Sequence, residues 1–179
     1  MQSQEHRLTG GQVLLIREAA AEDARAVLDY VNAISGESDF LSFGPGEFEL
    51  TAPEEEEFLR RCRASDNQLY LLGMIDDALV STLAFSGGRR PRLRHSGEFG
   101  MSVRREYWGL GIGSLMLDTF IEWARGTGFV KKINLRVRTD NSRAIRLYGR
   151  KGFVIEGTIR REMLLRGQYF DHYWMGLQL

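Results

Sequence analysis

Residues 107–117 read YWGLGIGSLML, three glycines at alternate positions placed directly before an apolar run of helical period. Gly109, Gly111 and Gly113 lack the Cβ atoms that would fill the space in front of that helix. The peptide N–H groups there are therefore open to a ligand, at the positive end of the helix dipole. Phosphate is the guest such a turn suits. Glycines also serve close packing of a helix on a strand, and the motif by itself leaves that reading open.

The flanking segments make the turn part of a strand–helix–strand unit. GEFGMSVR precedes it as a strand, and Ile112, Leu115, Met116, Phe120, Trp123 and Ala124 then follow the three-and-four spacing of a helix that ends near Gly126 and Gly128. KKINLRVR alternates Ile133, Leu135 and Val137 with polar residues, a further strand. A dinucleotide-binding turn fits this unit poorly. RREYW separates Val103 from Gly109, the spacing is GxGxG and not GxGxxG, and no alternation of strands and helices follows Asp140.

The remaining pattern is mixed. A polar lead of about ten residues, expected to be frayed, is followed by a short strand in QVLLIREA and a helix carrying Ala24, Val27, Leu28, Val31 and Ile34 on one face. SGESDFLSFGPGEFE is a structured loop. Thr51, Pro53 and four glutamates mark a helix start, where the dipole favours negative charge. NQLYLLGMIDDALVSTLAFSGG reads as a hairpin turning at Asp76 and Asp77, NSRAIRLYGRKG as a short helix capped at Asn141 or Ser142, and residues 152–179 as two long strands turning at Arg166 to Gln168. The expectation is an α/β (α+β) domain over residues 11–179, with a mostly antiparallel sheet of six to seven strands flanked by about four helices.

Composition narrows the function. A chain of 179 residues, 43% hydrophobic and 27% charged, is a single globular domain. Lys+Arg and Asp+Glu balance at 24 each, so nothing global points to nucleic acid or to a membrane surface. The N-terminal residues lack the apolar core of a signal peptide, and no run reaches the roughly 18 apolar residues of a membrane span; the cytoplasm is the expected location. One cysteine, Cys62, excludes an internal disulfide, and its helical neighbours make it a buried thiol. His6 and His172 show no metal-ligand spacing.

SVRREYWGLGIGSLML together with LRVRTDNSRAIRLYGRKGF resembles the GNAT superfamily of N-acetyltransferases, whose acetyl-CoA motif runs (R/Q)-x-x-G-x-(G/A) between a strand and a helix. The family's Arg or Gln falls at Trp108. The resemblance spans most of residues 12–178 and is similar to the ribosomal-protein and polyamine branch. It implies that acetyl-CoA is the co-substrate, with no metal needed. The cofactor contacts it implies are Met101, Val103, Trp108, Gly109, Leu110, Gly111, Ile112, Gly113, Ser114, Asn134, Asn141 and Tyr148. The N–H groups of residues 108–114 would cradle the pyrophosphate. The strand GEFGMSV would splay from NLRVR, so that Met101 and Val103 pair with the pantetheine arm and a main-chain N–H near Met101 polarises the thioester carbonyl.

The same resemblance makes Tyr148 the acid that protonates the departing thiolate and Glu98 the base, directly or through water. On residue spacing alone, Tyr148 is equally a core aromatic, Asn141 a helix cap and Glu98 a solvated residue. Gly100 suits either a bulge or close packing. Glu37, Asp39, Glu156, Glu162 and Asp171 are acids that would attract a cationic acceptor, and the basic loop RRPRLRH is either a solvated hairpin tip or a site for the 3′-phosphate. The expected partner is a small-molecule or peptide amine, and the long last strands offer a surface for a homodimer. Two rivals are a CoA-binding module without turnover and a nucleotide-dependent reductase.

Overall fold

The structure is a computed structural model that describes residues 2–179. Eight strands form one sheet in the order β1-β2-β3-β4-β5-β6-β8-β7. They are β1 (Gln4–Arg7), β2 (Val13–Glu18), β3 (Gln68–Ile75), β4 (Ala78–Gly87), β5 (Ser96–Val103), β6 (Lys132–Arg138), β7 (Val154–Leu165) and β8 (Gln168–Gln178). Every neighbouring pair is antiparallel except β5 with β6. Four helices cover the sheet: α1 (Ala24–Ser35), α2 (Ala52–Ala64), α3 (Ile112–Gly126) and α4 (Ser142–Arg150).

The extra strand is β1. Residues 4–7, expected to fray, pair with β2 from Gln4↔Ile16 to Arg7↔Val13, and Gln4 is further tied to α3 by the Thr119 hydroxyl at 2.7 Å. The pairing is made by main-chain groups of the polar segment QEHR, so no apolar alternation announces it. The hairpin turns fall where expected. Asp76 and Asp77 take φ of 47° and 63°, and Arg166 and Gly167 take 48° and 80°, the left-handed pairs that fit the twist of tight hairpins.

Alternation divides the core in two. On one face Leu14, Ile16, Leu71, Leu83, Phe85 and Ile133 pack against Met116 and Phe120 of α3, and on the other Tyr70 and Leu72 pack against Val27 and Ile34 of α1 and Leu59 and Cys62 of α2. Burial pushes the Cys62 thiol up to about 11, which keeps it protonated and inert. The acidic run starts α2 as expected, and one of its glutamates, Glu55, is buried, which raises its carboxyl above the ordinary range.

The junction of β5 and β6 positions everything that follows. Ser96↔Lys132, Gly97↔Ile133 and Glu98↔Asn134 pair in parallel, and beyond Glu98 the strands separate. The Asn134 amide closes the narrow end of this fork, donating to Ser96 Oγ at 2.9 Å and to the Gly97 carbonyl at 3.1 Å. Gly97 is required there because a Cβ would meet the Phe85 ring and lie 2.6 Å from the Ser86 carbonyl. Gly100 forms no bulge against β4, since that register runs unbroken from Ser81↔Val103 to Gly87↔Gly97. Gly97→Ala is expected to cost about 1–3 kcal/mol through overpacking, read as a lowered urea midpoint with an unchanged slope.

Candidate active site

The site is built on the side of β5 that β4 does not use. Arg104 N–H donates to the Val80 carbonyl and Gly88 N–H to the Ser96 carbonyl. In an antiparallel ladder such bonded positions recur at every second residue, so the even-numbered residues of β5 bond to β4. Met101 and Val103 consequently turn their N–H and C=O groups toward β6, past the point where the parallel pairing stops. Those groups border a cleft of about 560 Å³ that passes through the fork, lined by residues of α3 and α4 on one side and by Ile34, Phe40, Leu41 and Ser102 on the other.

Opposite them, residues 109–113 form the cleft's polar end. Gly109 and Gly111 have φ of 93° and 85°, and a Cβ at either would meet no atom within 4 Å. Both therefore border open space in a backbone conformation that only glycine takes without strain. Among the described residues, the N–H groups of 109–113 have no acceptor in the protein, while Ser114 N–H and Leu115 N–H both bond to Gly111 O. These free donors stand at the start of α3, a helix of 15 residues whose dipole adds to their positive potential. A phosphate-bearing ligand fits this arrangement, and apolar side chains of Met101, Val103 and Leu147 line the rest of the cleft.

Trp108 has a different role from the one expected. Its N–H bonds to the Arg105 carbonyl and is not free, while its indole Nε1 donates to the Val103 carbonyl at 2.7 Å. The ring carries the guanidinium of Arg143, from the first turn of α4, at 5.0 Å, and that of Arg105 at 5.7 Å. Arg143 and Arg150 both line the cleft, and sequence reasoning passed over them. Their signal was present only as arginines one and eight residues C-terminal to Ser142, the second of the two expected cap positions. The basic loop at 89–95 lies at the opposite end of β5, where Arg94 pairs with Asp66 and stacks on Phe129, so it supplies no anion site for this cleft.

Most of the expected residues come together. Met101, Val103, Trp108, Gly109, Gly111, Ile112, Gly113, Ser114, Asn141 and Tyr148 all line the cleft. Three do not. Leu110 packs its side chain on the core and lends only its N–H. Asn134 is the staple at the narrow end of the fork. Glu98 lies on the opposite face of the sheet, where Arg136 Nε donates to its carboxylate at 2.7 Å. Asn141 caps α4, accepting from Ala144 N–H at 3.1 Å. Tyr148 reaches the cleft from α4 with its ring edge-on to Phe99 and Phe153. Burial alone pushes its phenol up to about 12, so it stays protonated through the neutral range.

The loop between α1 and α2 borders the same cleft through Ser38, Phe40 and Leu41. The two acids of this loop expected to attract an acceptor are occupied by arginines: Glu37 takes Arg104 Nε at 2.5 Å and Arg105 N–H at 2.6 Å, and Asp39 pairs with Arg166 at 3.1 Å. Arg138, 6% exposed, donates to the Asp39 carbonyl at 2.7 Å and holds its guanidinium 4.8 Å from the Phe40 ring and 3.6 Å from that of Phe170. Its charge is balanced by a two-pronged pair with Asp140, whose carboxyl it holds below the ordinary range.

Comparison with known proteins gives one consistent answer. A model described as the Acetyltransferase (GNAT) family matches residues 36–153. The L-amino acid N-acetyltransferase AaaT of Escherichia coli is 35% identical over 105 residues, 59% of this chain and 65% of that protein, so the match spans less than two thirds of the relative's length. Among solved structures, a GNAT-family acetyltransferase from Streptococcus pneumoniae superposes with a TM-score of 0.90 at 37% identity, covering 93% of this chain and 99% of that one. An acetyltransferase from Salmonella typhimurium, solved with its cofactor acetyl-CoA, gives 0.80 at 18% identity, over 97% of this chain and 94% of its own.

The cradle makes a direct prediction. Gly111→Ala should cost about 1–2 kcal/mol of stability from the left-handed backbone. It should also weaken CoA binding about tenfold by displacing charge-assisted N–H bonds, measured by urea unfolding and by calorimetry. Leu110→Ala, altering a side chain turned to the core, should cost stability and leave CoA affinity unchanged.

Proposed function

The chain belongs to the Acetyltransferase (GNAT) family, and on that premise we propose that it moves an acetyl group from acetyl-CoA to a primary amine by direct attack within a ternary complex. One observation carries the reading: the fork between β5 and β6 leaves Met101 main-chain groups without a strand partner, beside a row of N–H donors at 109–113 that have no acceptor. Buried polar main-chain groups in native proteins are almost always paired. An extended arm bearing amides at one end and a pyrophosphate at the other supplies both sets of partners.

In this reading acetyl-CoA supplies the thioester, and the chain supplies position and proton. Residues 109–113 and the start of α3 hold the pyrophosphate, with Ser114 beside them and Arg143 and Arg150 at the rim. Met101 N–H faces the thioester oxygen as a preorganised donor that stabilises developing negative charge. Tyr148, protonated because it is buried, gives its proton to the departing sulfur. The acceptor approaches from the other face of the sheet, across Gly100, where a Cβ would have no atom within 4 Å. L-amino acids are the first acceptor class to test, because the relative of that name shares 35% identity.

The experiment is thiol release from acetyl-CoA with L-amino acids, spermidine and peptides with free N-termini. Release with at least one class supports acetyl transfer; binding of acetyl-CoA with no release from any of them favours a CoA-binding module. Tyr148→Phe should lower kcat by about 10²-fold while leaving the acetyl-CoA Kd unchanged. With the phenol pushed up to about 12, no alkaline limb from this residue should enter the wild-type kcat profile up to about pH 10. Gly100→Val should raise the acceptor KM and leave acetyl-CoA affinity and folding intact, since the added side chain enters open space.

A further inference from the structure

On the face of the sheet that carries Glu98 lies a second cavity, of about 430 Å³, bordered by Ser42, Glu98, Arg136, Glu162, Met163, Leu164 and His172. We propose that His172 is the group that takes the proton from the acceptor's ammonium in this cavity. The proposal rests on the acetyl-transfer reading above and corrects the sequence-based choice of Glu98.

Strand register places His172 at the right height. Glu98 pairs with Asn134, so the parallel count along the fork sets Ser102 level with Arg138, and Arg138 pairs with His172 on β8. His172 therefore stands level with the Met101–Ser102 segment, where the thioester carbonyl would be held, while Glu98 sits about 10–13 Å back along β5 at the closed end. Alternation sends Glu98, Gly100 and Ser102 to one face, together with Arg136, Arg138 and His172. Between the two strands Gly100 leaves the face open.

The chemistry of the cavity agrees. Arg136 joins Glu98 and Glu162, donating to each at 2.7 Å. Two carboxylates around one guanidinium leave a single negative charge, which suits an arriving ammonium. Glu98 is committed to that pair, whereas His172, 7% exposed, has a buried Nδ1 with no hydrogen-bond partner among the described residues. The charged groups around the imidazole are Glu98 from β5, Arg136 and Arg138 from β6, Asp140 just beyond it, and Glu162 from β7. Asp171, its neighbour on β8, is engaged by the Arg161 N–H at 2.8 Å.

Burial lowers the imidazole pKa below its ordinary 6.5; Glu162 opposes it, Arg138 and Arg136 add to the lowering, and Asp140 weakly opposes. His172 is therefore neutral at pH 7 and able to accept a proton. In the step itself one N–H bond of the ammonium breaks, the proton moves to an imidazole nitrogen, and the electron pair stays on the amine. The imidazolium then returns that proton to water.

The test compares His172→Gln and Glu98→Gln, assayed with whichever amine of the panel releases thiol. In the wild type, kcat should fall on an acid limb below pH 6.5, and the His172 ring protons, identified by their loss in His172→Gln, should titrate by NMR with the same midpoint. His172→Gln should lower kcat by about 10²-fold and abolish the limb, while its acetyl-CoA Kd by calorimetry stays at the wild-type value and reports an intact fold. Glu98→Gln should raise the acceptor KM and retain the limb. An acid limb kept in His172→Gln, or lost in Glu98→Gln, overturns the assignment to His172 and leaves acetyl transfer standing. A wild-type protein silent with every amine overturns both readings.

Discussion

The structure turns on one unsatisfied ladder. β5 gives its even-numbered residues to β4 and has only three register positions with β6, so the main chain of Met101 faces a gap in the middle of an otherwise closed sheet. A sheet interior tolerates such a gap only if something else meets the exposed N–H and C=O groups. Here the Val103 carbonyl takes the Trp108 indole, and the groups of Met101 remain for a ligand. The position of α3, the wall made by α4 and the opening on the far face all follow from where the two strands part.

Strands and helices announced by alternation or by three-and-four spacing were legible in the sequence, whereas the glycines before α3 left close packing as an alternative that only the open space around Gly109 and Gly111 decides. Three features were not legible. β1 is held by main-chain pairing of polar residues, and nothing in QEHR marks a strand. Asn134 and Glu98 were matched to the site by position along the chain, but side-chain direction sent one to a staple and the other to an ion pair on the opposite face. His172 was set aside for want of a metal-ligand partner, whereas the role proposed for it depends on register: the pairing of β6 with β8 brings residue 172 level with residue 102.

Charge is distributed with the same economy. The acids that the sequence offered for attracting a cationic acceptor are mostly engaged internally: Glu37 by Arg104, Asp39 by Arg166, Glu156 by Lys132 and Asp171 by a main-chain N–H. The exposed pair of Asp39 with Arg166 adds little to stability, but it and the half-buried pair of Glu37 with Arg104 fasten the loop between α1 and α2 to chain segments on both sides of the fork. Arg138 does so from a nearly buried position, with two aromatic rings, a carbonyl and Asp140 around one guanidinium. Its loss would leave Asp140 and the Asp39 carbonyl without their donor and the loop without its central fastening.

The cradle at residues 109–113 consists of peptide groups, which neither gain nor lose a proton anywhere in the range where proteins stay folded. Its attraction for an anion is therefore insensitive to acidity, apart from titration of the anion itself. On the other face stands the imidazole of His172, whose charge responds to the medium. The two halves of the fork thus differ in what they can sense: the peptide groups of one keep their character as protons become scarce or plentiful, while the imidazole of the other does not.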